Sequence, residues 1–260
     1  MQIGRMNNPY LDVYKEIEWI GKKGFDFVDL TLEPADSLPH MVNPSRIRRI
    51  IRKYKLGVVG HMGDWKFPKD SFFPELREAS TKAIINTMRA LAKCGAKKIT
   101  THSFKCTEAE YKDAKKYLFD MYRELLAEAK KLGVELMVEN GGTCFYNPIN
   151  RRLYADLMNK YPKLKVHVDL GHANIGKNNW RIDYYLRKYK GRVSHLHFSD
   201  NYGVNDNHIK LGAGRISWVK VIKELKRYGY DSTITVETFR SGKQGELESK
   251  KKLRKWWDKY

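Results

Sequence analysis

Lys131-Leu132-Gly133-Val134-Glu135-Leu136-Met137-Val138-Glu139-Asn140 is the stretch whose reading decides the fold. Lys131-Leu132-Gly133 reads as the end of a helix: a basic side chain complements the carbonyl end, and glycine follows as a left-handed cap. Val134 to Glu139 is short and nearly continuous in apolar character, as expected of a strand buried on both faces. Val138-Glu139-Asn140 then places a carboxylate at the strand's C-terminal tip.

The same grammar recurs along the chain. Helix stops appear at Lys23-Gly24-Phe25, Lys55-Leu56-Gly57, Lys93-Cys94-Gly95 and Arg227-Tyr228-Gly229, each followed within a few residues by an apolar run. Eight strands are expected: Ile3 with its neighbours, Phe27 to Leu30, Gly57 to His61, Lys98 to His102, Val134 to Glu139, Lys165 to Asp169, Val193 to Phe198 and Thr233 to Glu237. Between them, apolar residues spaced by three or four predict helices over Tyr10 to Lys22, Ser45 to Tyr54, Phe73 to Cys94, Glu108 to Leu132, Ile149 to Asn159, Trp180 to Tyr189, Trp218 to Tyr228 and Leu247 to Trp257. A chain of eight βα units belongs to the α/β class and predicts a (β/α)₈ TIM barrel, with residues 1–260 as one domain. The competing open, doubly wound sheet lacks its GxGxxG after the first strand.

Composition narrows the setting. The 260 residues are 42% hydrophobic, enough for a substantial core, and no apolar stretch approaches the ~18 residues of a membrane span. The start, Met1-Gln2-Ile3-Gly4-Arg5, has no signal-peptide pattern, so a cytoplasmic protein without membrane partners is expected. Cys94, Cys106 and Cys144 form no CxxC pair and read as reduced thiols. The formal charge of +20, from 50 Lys+Arg against 30 Asp+Glu, suits a polyanion or a phosphorylated substrate, and equally a Lys-rich, thermophile-like composition. The run Lys250-Lys251-Lys252 to Arg254-Lys255 reads as a solvated helix face.

In a parallel barrel every strand tip faces the same mouth. The tips carry His61, His102, Glu139, Asp169, His197 and Glu237; His172 and the pair Asp206-x-His208 sit just beyond. Gathering such groups in a water-poor cavity is costly unless a cation pairs them. Oxygen and imidazole donors without thiolate suit Zn²⁺, Mn²⁺, Co²⁺ or Mg²⁺. His167 and His195 are assigned to the opposite side of their strands from Asp169 and His197, as packing or supporting residues. Leu211-Gly212-Ala213-Gly214-Arg215 offers backbone amides for a phosphate, or is a plain tight turn. The pairs Tyr184-Tyr185 and Trp256-Trp257 read as packing or an oligomer face rather than a nucleic-acid platform.

The order "VEN", "HVDLGH", "HLHFSD", "D-x-H-x-x-x-G-x-G" and "TVET" resembles the xylose isomerase-like barrel superfamily over nearly the whole chain. That group includes sugar and sugar-phosphate isomerases and epimerases, inosose-processing enzymes and endonuclease IV. In the isomerase and epimerase branch, the resemblance implies one divalent metal held by Glu139, Asp169, His197 and Glu237. Glu139 and Glu237 would also move protons beside a sugar carbonyl through an enediolate, and His172, His61 and His102 would contact the substrate. In the endonuclease IV branch it implies up to three zinc ions and an abasic DNA substrate. Their ligands would be His61, His102 and Glu139; Glu139, Asp169, His197 and Glu237; and His172, Asp206 and His208. Three departures count against the nuclease. Ile3-Gly4-Arg5-Met6 lacks its Gly-x-His-x-Ser start. Met62-Gly63-Asp64-Trp65 puts Asp64 where it would repel a DNA backbone, although Trp65 could stack. Asn140-Gly141-Gly142-Thr143 differs from the nuclease turn. The expectation is therefore a metal-dependent sugar or sugar-phosphate isomerase or epimerase, with the nuclease as alternative and homo-oligomerisation open.

Overall fold

The structure is a computed structural model that describes residues 1–102, 105–141, 147–176 and 182–260. Eight parallel strands close into a barrel in chain order, β1 (Gln2–Met6), β2 (Phe27–Leu32), β3 (Gly57–Met62), β4 (Lys98–Thr101), β5 (Glu135–Glu139), β6 (Lys165–Asp169), β7 (Val193–Phe198) and β8 (Thr233–Val236). Ile3 stands opposite Ile234, so the first strand seals against the last. The expected (β/α)₈ barrel is the fold found.

The helices are α1 (Val13–Lys22), α2 (Pro44–Tyr54), α3 (Pro74–Cys94), α4 (Tyr111–Leu132), α5 (Pro148–Lys160), α6 (Leu170–Asn174), α7 (Ile182–Lys188), α8 (Trp218–Arg227) and α9 (Gly242–Lys259). In α2, Asn43 caps the start by accepting from the Arg46 amide at 3.1 Å, Pro44 occupies the first turn, and Lys55 ends the helix at φ 54°. Ile47 and Ile50 are buried while Arg46, Arg48, Arg49 and Arg52 stay in solvent. The stop at Gly133 has φ 65°, the left-handed conformation expected of its Lys-Leu-Gly signal. α9 begins five residues ahead of the expected Leu247, and the single-turn α6 was not foreseen. Trp180 and Arg181, at the expected start of α7, lie outside the described residues.

Strand alternation sorts the core into two bodies. Outward residues such as Val28, Leu30, Ile99, Leu136, Val168, Leu196 and Ile234 join the helices in one large apolar shell. Inside the barrel a separate small plug of Phe27, Val59 and Met137 fills the base. A Cβ at Gly4 would meet the Phe27 ring at 2.3 Å, so glycine there admits the plug. Above it the interior turns polar, with Asp29, Thr100, His167, His195, Thr233 and Thr235 all buried. That polar layer supports the mouth.

Trp256 stacks on Trp218 at 6.4 Å, and Tyr185 is buried, so those aromatic pairs serve packing. Among the described residues no helix is long and apolar enough to cross a membrane.

Candidate metal centre

All nine sequence-predicted site residues reach one place. A cavity of about 690 Å³ opens at the C-terminal mouth, lined by His61, His102, Glu139, His172, Asp206, His208 and Glu237. Asp169 and His197 lie just beneath, 0% and 1% exposed. Asp169, His197 and Thr235 are in register on β6, β7 and β8. His172 is delivered by α6, whose first turn is capped by Asp169 accepting the His172 amide at 2.7 Å. His208 takes φ 44°, a left-handed turn that lets it and Asp206 point the same way.

Three groups form. His61 Nε2 faces His102 Nε2 at 3.0 Å, with Glu139 Oε2 at 3.9 and 3.4 Å. His197 Nδ1 lies 3.0 Å from Glu237 Oε2 and 3.8 Å from Asp169 Oδ2. Asp206 Oδ2 bridges His172 Nε2 at 3.2 Å and His208 Nε2 at 2.8 Å. Glu139 links the first and third groups, because its Oε1 is 3.2 Å from His172 Nδ1.

The donor set fits a divalent cation. In His61–His102–Glu139, in Glu139–Asp169–His172 and in Asp169–His197–Glu237, ligand atoms lie within 4.8 Å of one another. Glu139 Oε2, Asp169 Oδ2 and His61 Nδ1 are buried and lack a hydrogen-bond partner. A buried carboxylate oxygen left so is costly unless a cation meets it.

The electrostatics reflect the crowding. Burial opposes the charge on Glu139, but His172 and His102 outweigh it and hold the carboxyl down. Burial, with Glu237, Asp206 and Glu139 nearby, pushes Asp169 up to about 7 against the pull of His172. Burial lowers the His197 and His208 imidazoles, yet neighbouring carboxylates raise both, His208 to about 10. Protons on histidines thus perform, in the metal-free chain, the pairing a cation would perform.

The structure corrects several expectations. His167 and His195 are not on the opposite side from Asp169 and His197: residues two apart share a face. Both point into the barrel one layer down, with the His167 ring 4.0 Å from that of His197. There they join two further groups whose donor atoms lie within 4.8 Å of one another, His61–His167–His197 and Asp29–His195–His197. Asp29, missed in the sequence because it sits mid-strand, receives His197 Nε2 at 2.7 Å, His195 Nε2 at 3.1 Å and Thr235 Oγ1 at 2.9 Å. Asn140 is a second unforeseen residue. Its side chain accepts from the Asp169 amide at 2.7 Å and donates to the Asp169 carbonyl at 3.0 Å. Gly142 and Thr143 of that turn lie outside the described residues.

Asp64 does not face a ligand backbone; it is fully buried, while Trp65 beside it is 55% exposed on the rim. The amide cradle of Leu211 to Arg215 is not free for phosphate. Asp200 accepts from the Gly212 amide at 2.8 Å, from the Ile216 amide just beyond the segment at 3.2 Å and from Trp218 Nε1 at 2.8 Å, while the amides of Leu211, Ala213 and Arg215 donate to Ser249 Oγ and to the Lys210 and Asn201 carbonyls. The anion bound there is the protein's own.

A closed eight-stranded parallel barrel with a His/Asp/Glu centre at its mouth defines a class, and the sequence comparison agrees. The chain belongs to the xylose isomerase-like TIM barrel family, whose model matches residues 17–260. It is 23% identical over 232 residues to the uncharacterised protein MJ1311 of Methanocaldococcus jannaschii, covering 85% of this chain and 77% of that one. In fold it resembles a D-tagatose 3-epimerase-like protein, with a TM-score of 0.84 and 20% identity over 99% of this chain and 97% of that one. The 3-keto-D-glucoside 4-epimerase YcjR from E. coli is also similar, with a TM-score of 0.77 and 18% identity over 98% and 99% of the two chains. At these identities the structural likeness is one of fold.

Proposed function

We propose that this protein is a divalent-metal-dependent isomerase or epimerase of a small sugar. One observation carries the reading. Glu139, Asp169 and His197 come from β5, β6 and β7 and Glu237 directly follows β8, so two glutamates bracket an aspartate and a histidine at one mouth. A cation held by these four would supply positive charge where a sugar's carbonyl and adjacent hydroxyl oxygens converge.

The chain's own groups do the rest. Glu139 and Glu237, at the two ends of the arc, serve as base and acid. One takes the proton from the carbon beside the carbonyl; the other returns a proton after the substrate passes through its enediolate. His172 and Asp206 hold a substrate hydroxyl. Tyr10, Trp65 and Phe239 form an apolar wall of the cavity, suited to the C–H face of a sugar.

Two features favour an uncharged sugar over a phosphorylated one. Among the described lining residues Lys105 is the one ammonium or guanidinium group, and in the segment Leu211 to Arg215 the amides of Leu211, Gly212, Ala213 and Arg215 already donate to Ser249, Asp200, Lys210 and Asn201. Alanine at Glu139 or Glu237 is expected to abolish turnover of a keto-sugar panel while far-ultraviolet circular dichroism stays unchanged. Full activity in either variant would contradict the mechanism.

A second reading has its own support. The His61–His102–Glu139 and His172–Asp206–His208 groups complete a donor set for up to three cations, as an abasic-site endonuclease would need. With the charge of +20, it predicts salt-dependent binding and nicking of abasic duplex DNA. Absence of both would remove it.

A further inference from the structure

We propose that Asp64, tied in place by Lys69, is a positioning residue that fixes His102 as a cation donor through its Nε2. The inference goes beyond the proposed function: it assigns a cation to the His61–His102–Glu139 group, in addition to the four residues proposed to hold the catalytic one.

Asp64 opens a 3-10 turn, Asp64–Lys66, directly after β3. Its Oδ1 accepts from the His102 backbone amide at 3.0 Å and faces the His102 ring at Nδ1, 2.8 Å away. Its Oδ2 accepts from Lys69 Nζ at 2.5 Å, and that same ammonium donates to the His102 carbonyl at 3.1 Å. Asp64 is 0% and Lys69 6% exposed, so the clasp is dry. It joins the β3–α3 connection to the residue beyond β4 at three points.

The consequence for the ring is chemical. An ionised carboxylate only accepts, so the Nδ1 beside it carries the proton. The proton assignment follows from the network. In the neutral ring the lone pair is then on Nε2, the nitrogen turned toward His61 Nε2 and Glu139 Oε2. A carboxylate that orients an imidazole from behind is the usual support of a metal-binding histidine. Residue 64 must satisfy donors on both its oxygens, His102 on one and Lys69 on the other. An asparagine there would turn its amide N–H groups against one of them, whichever way it flips.

The test is a zinc titration of the full chain against a competing chelator, for wild type, Asp64→Asn, Lys69→Met and His102→Ala. It is paired with long-range ¹H–¹⁵N spectra of the imidazoles in the metal-free protein. Wild type is expected to show His102 as a single Nδ1–H tautomer. Asp64→Asn should lose that signature and weaken, by about 10- to 100-fold, the one zinc site that His102→Ala removes. Binding at Asp169–His197–Glu237 should not change. Lys69→Met should weaken the same site less, with the tautomer kept, and serves if Asp64→Asn does not fold. Unchanged affinity and tautomer in Asp64→Asn would overturn the proposal. So would equal weakening of every site, which marks a structural role only, or a His102→Ala variant that loses no zinc site.

Discussion

Asp29 Oδ2 lies 2.7 Å from His197 Nε2, one layer below the mouth. The carboxylate turns the other ring nitrogen, Nδ1, toward Asp169 and Glu237. Because Asp29 also holds His195 and Thr235, it fixes the inner face of three strands at once. Removing it with Asp29→Asn is expected to lower cation affinity at the His197 group by about 10- to 100-fold, with His61–His102 binding kept. Chelator competition measures this. Equal affinity in the variant would show that the ring is held by packing alone.

Asp200 organises the segment that carries Asp206 and His208. Besides the Gly212, Ile216 and Trp218 donors, it accepts from the Asn201 amide at 2.9 Å. Asp200→Ala leaves these donors buried without their acceptor. A loss of about 3 kcal/mol or more in stability is expected, with weaker metal binding at the His172–Asp206–His208 group. Chemical denaturation and metal titration read the two effects. An unchanged midpoint would mean that water replaces the carboxylate at no cost.

Arg5 ties the two ends of the chain around the barrel. Its guanidinium contacts Glu16 of α1 and Glu246 of α9, each at 2.6 Å, and all three side chains are 3% exposed or less. Arg5→Met removes the guanidinium from two buried carboxylates, leaving Glu16 with Lys243 at 2.8 Å, and a loss of about 3–5 kcal/mol is expected at neutral pH. Burial pushes the Glu16 carboxyl up, but Arg5 and Lys243 outweigh it and hold it below 4.5. Its share of the stabilisation is therefore present above pH 4.5 and lost on acidification. The gap between wild type and Arg5→Met should narrow as pH falls toward 4.5, because protonation relieves the stranded carboxylate. A gap that stays constant or widens on acidification would contradict this reading.

Cys94 is fully buried at the end of α3, and burial pushes its thiol up to about 12. Iodoacetamide at pH 8 should leave Cys94 unmodified in the native chain and label it after unfolding, as peptide mass spectrometry would show. Rapid native labelling at Cys94 would mean that α3 opens readily.

The fold was legible because each βα unit announces itself locally. Lys-Leu-Gly ends α4, and the run through Glu139 is strand β5 almost to the residue. The candidate donors were legible because parallel closure sends every strand tip to one mouth. What was not legible depends on contacts between distant segments. Asp29 sits mid-strand, 168 residues from the His197 it supports, and Asp64 resembles an ordinary loop acid until Lys69 and His102 are seen against it. Leu211 to Arg215 reads as an anion cradle or a plain tight turn because nothing local shows that Asp200 accepts from Gly212, Ser249 from Leu211 and Asn201 from Arg215. The misplacement of His167 and His195 was different in kind: strand alternation, applied correctly, puts them on the same inner face as Asp169 and His197.

The most direct test of the central claim is proton exchange at carbon. The manganese- or cobalt-loaded protein would be incubated with ketohexoses and ketopentoses in deuterated water, and the sugars examined by NMR and mass spectrometry. The account predicts one solvent deuteron at the carbon beside the carbonyl of at least one sugar, abolished by chelation and by Glu237→Gln. No exchange with any sugar, together with nicking of abasic DNA by the same preparation, would contradict it.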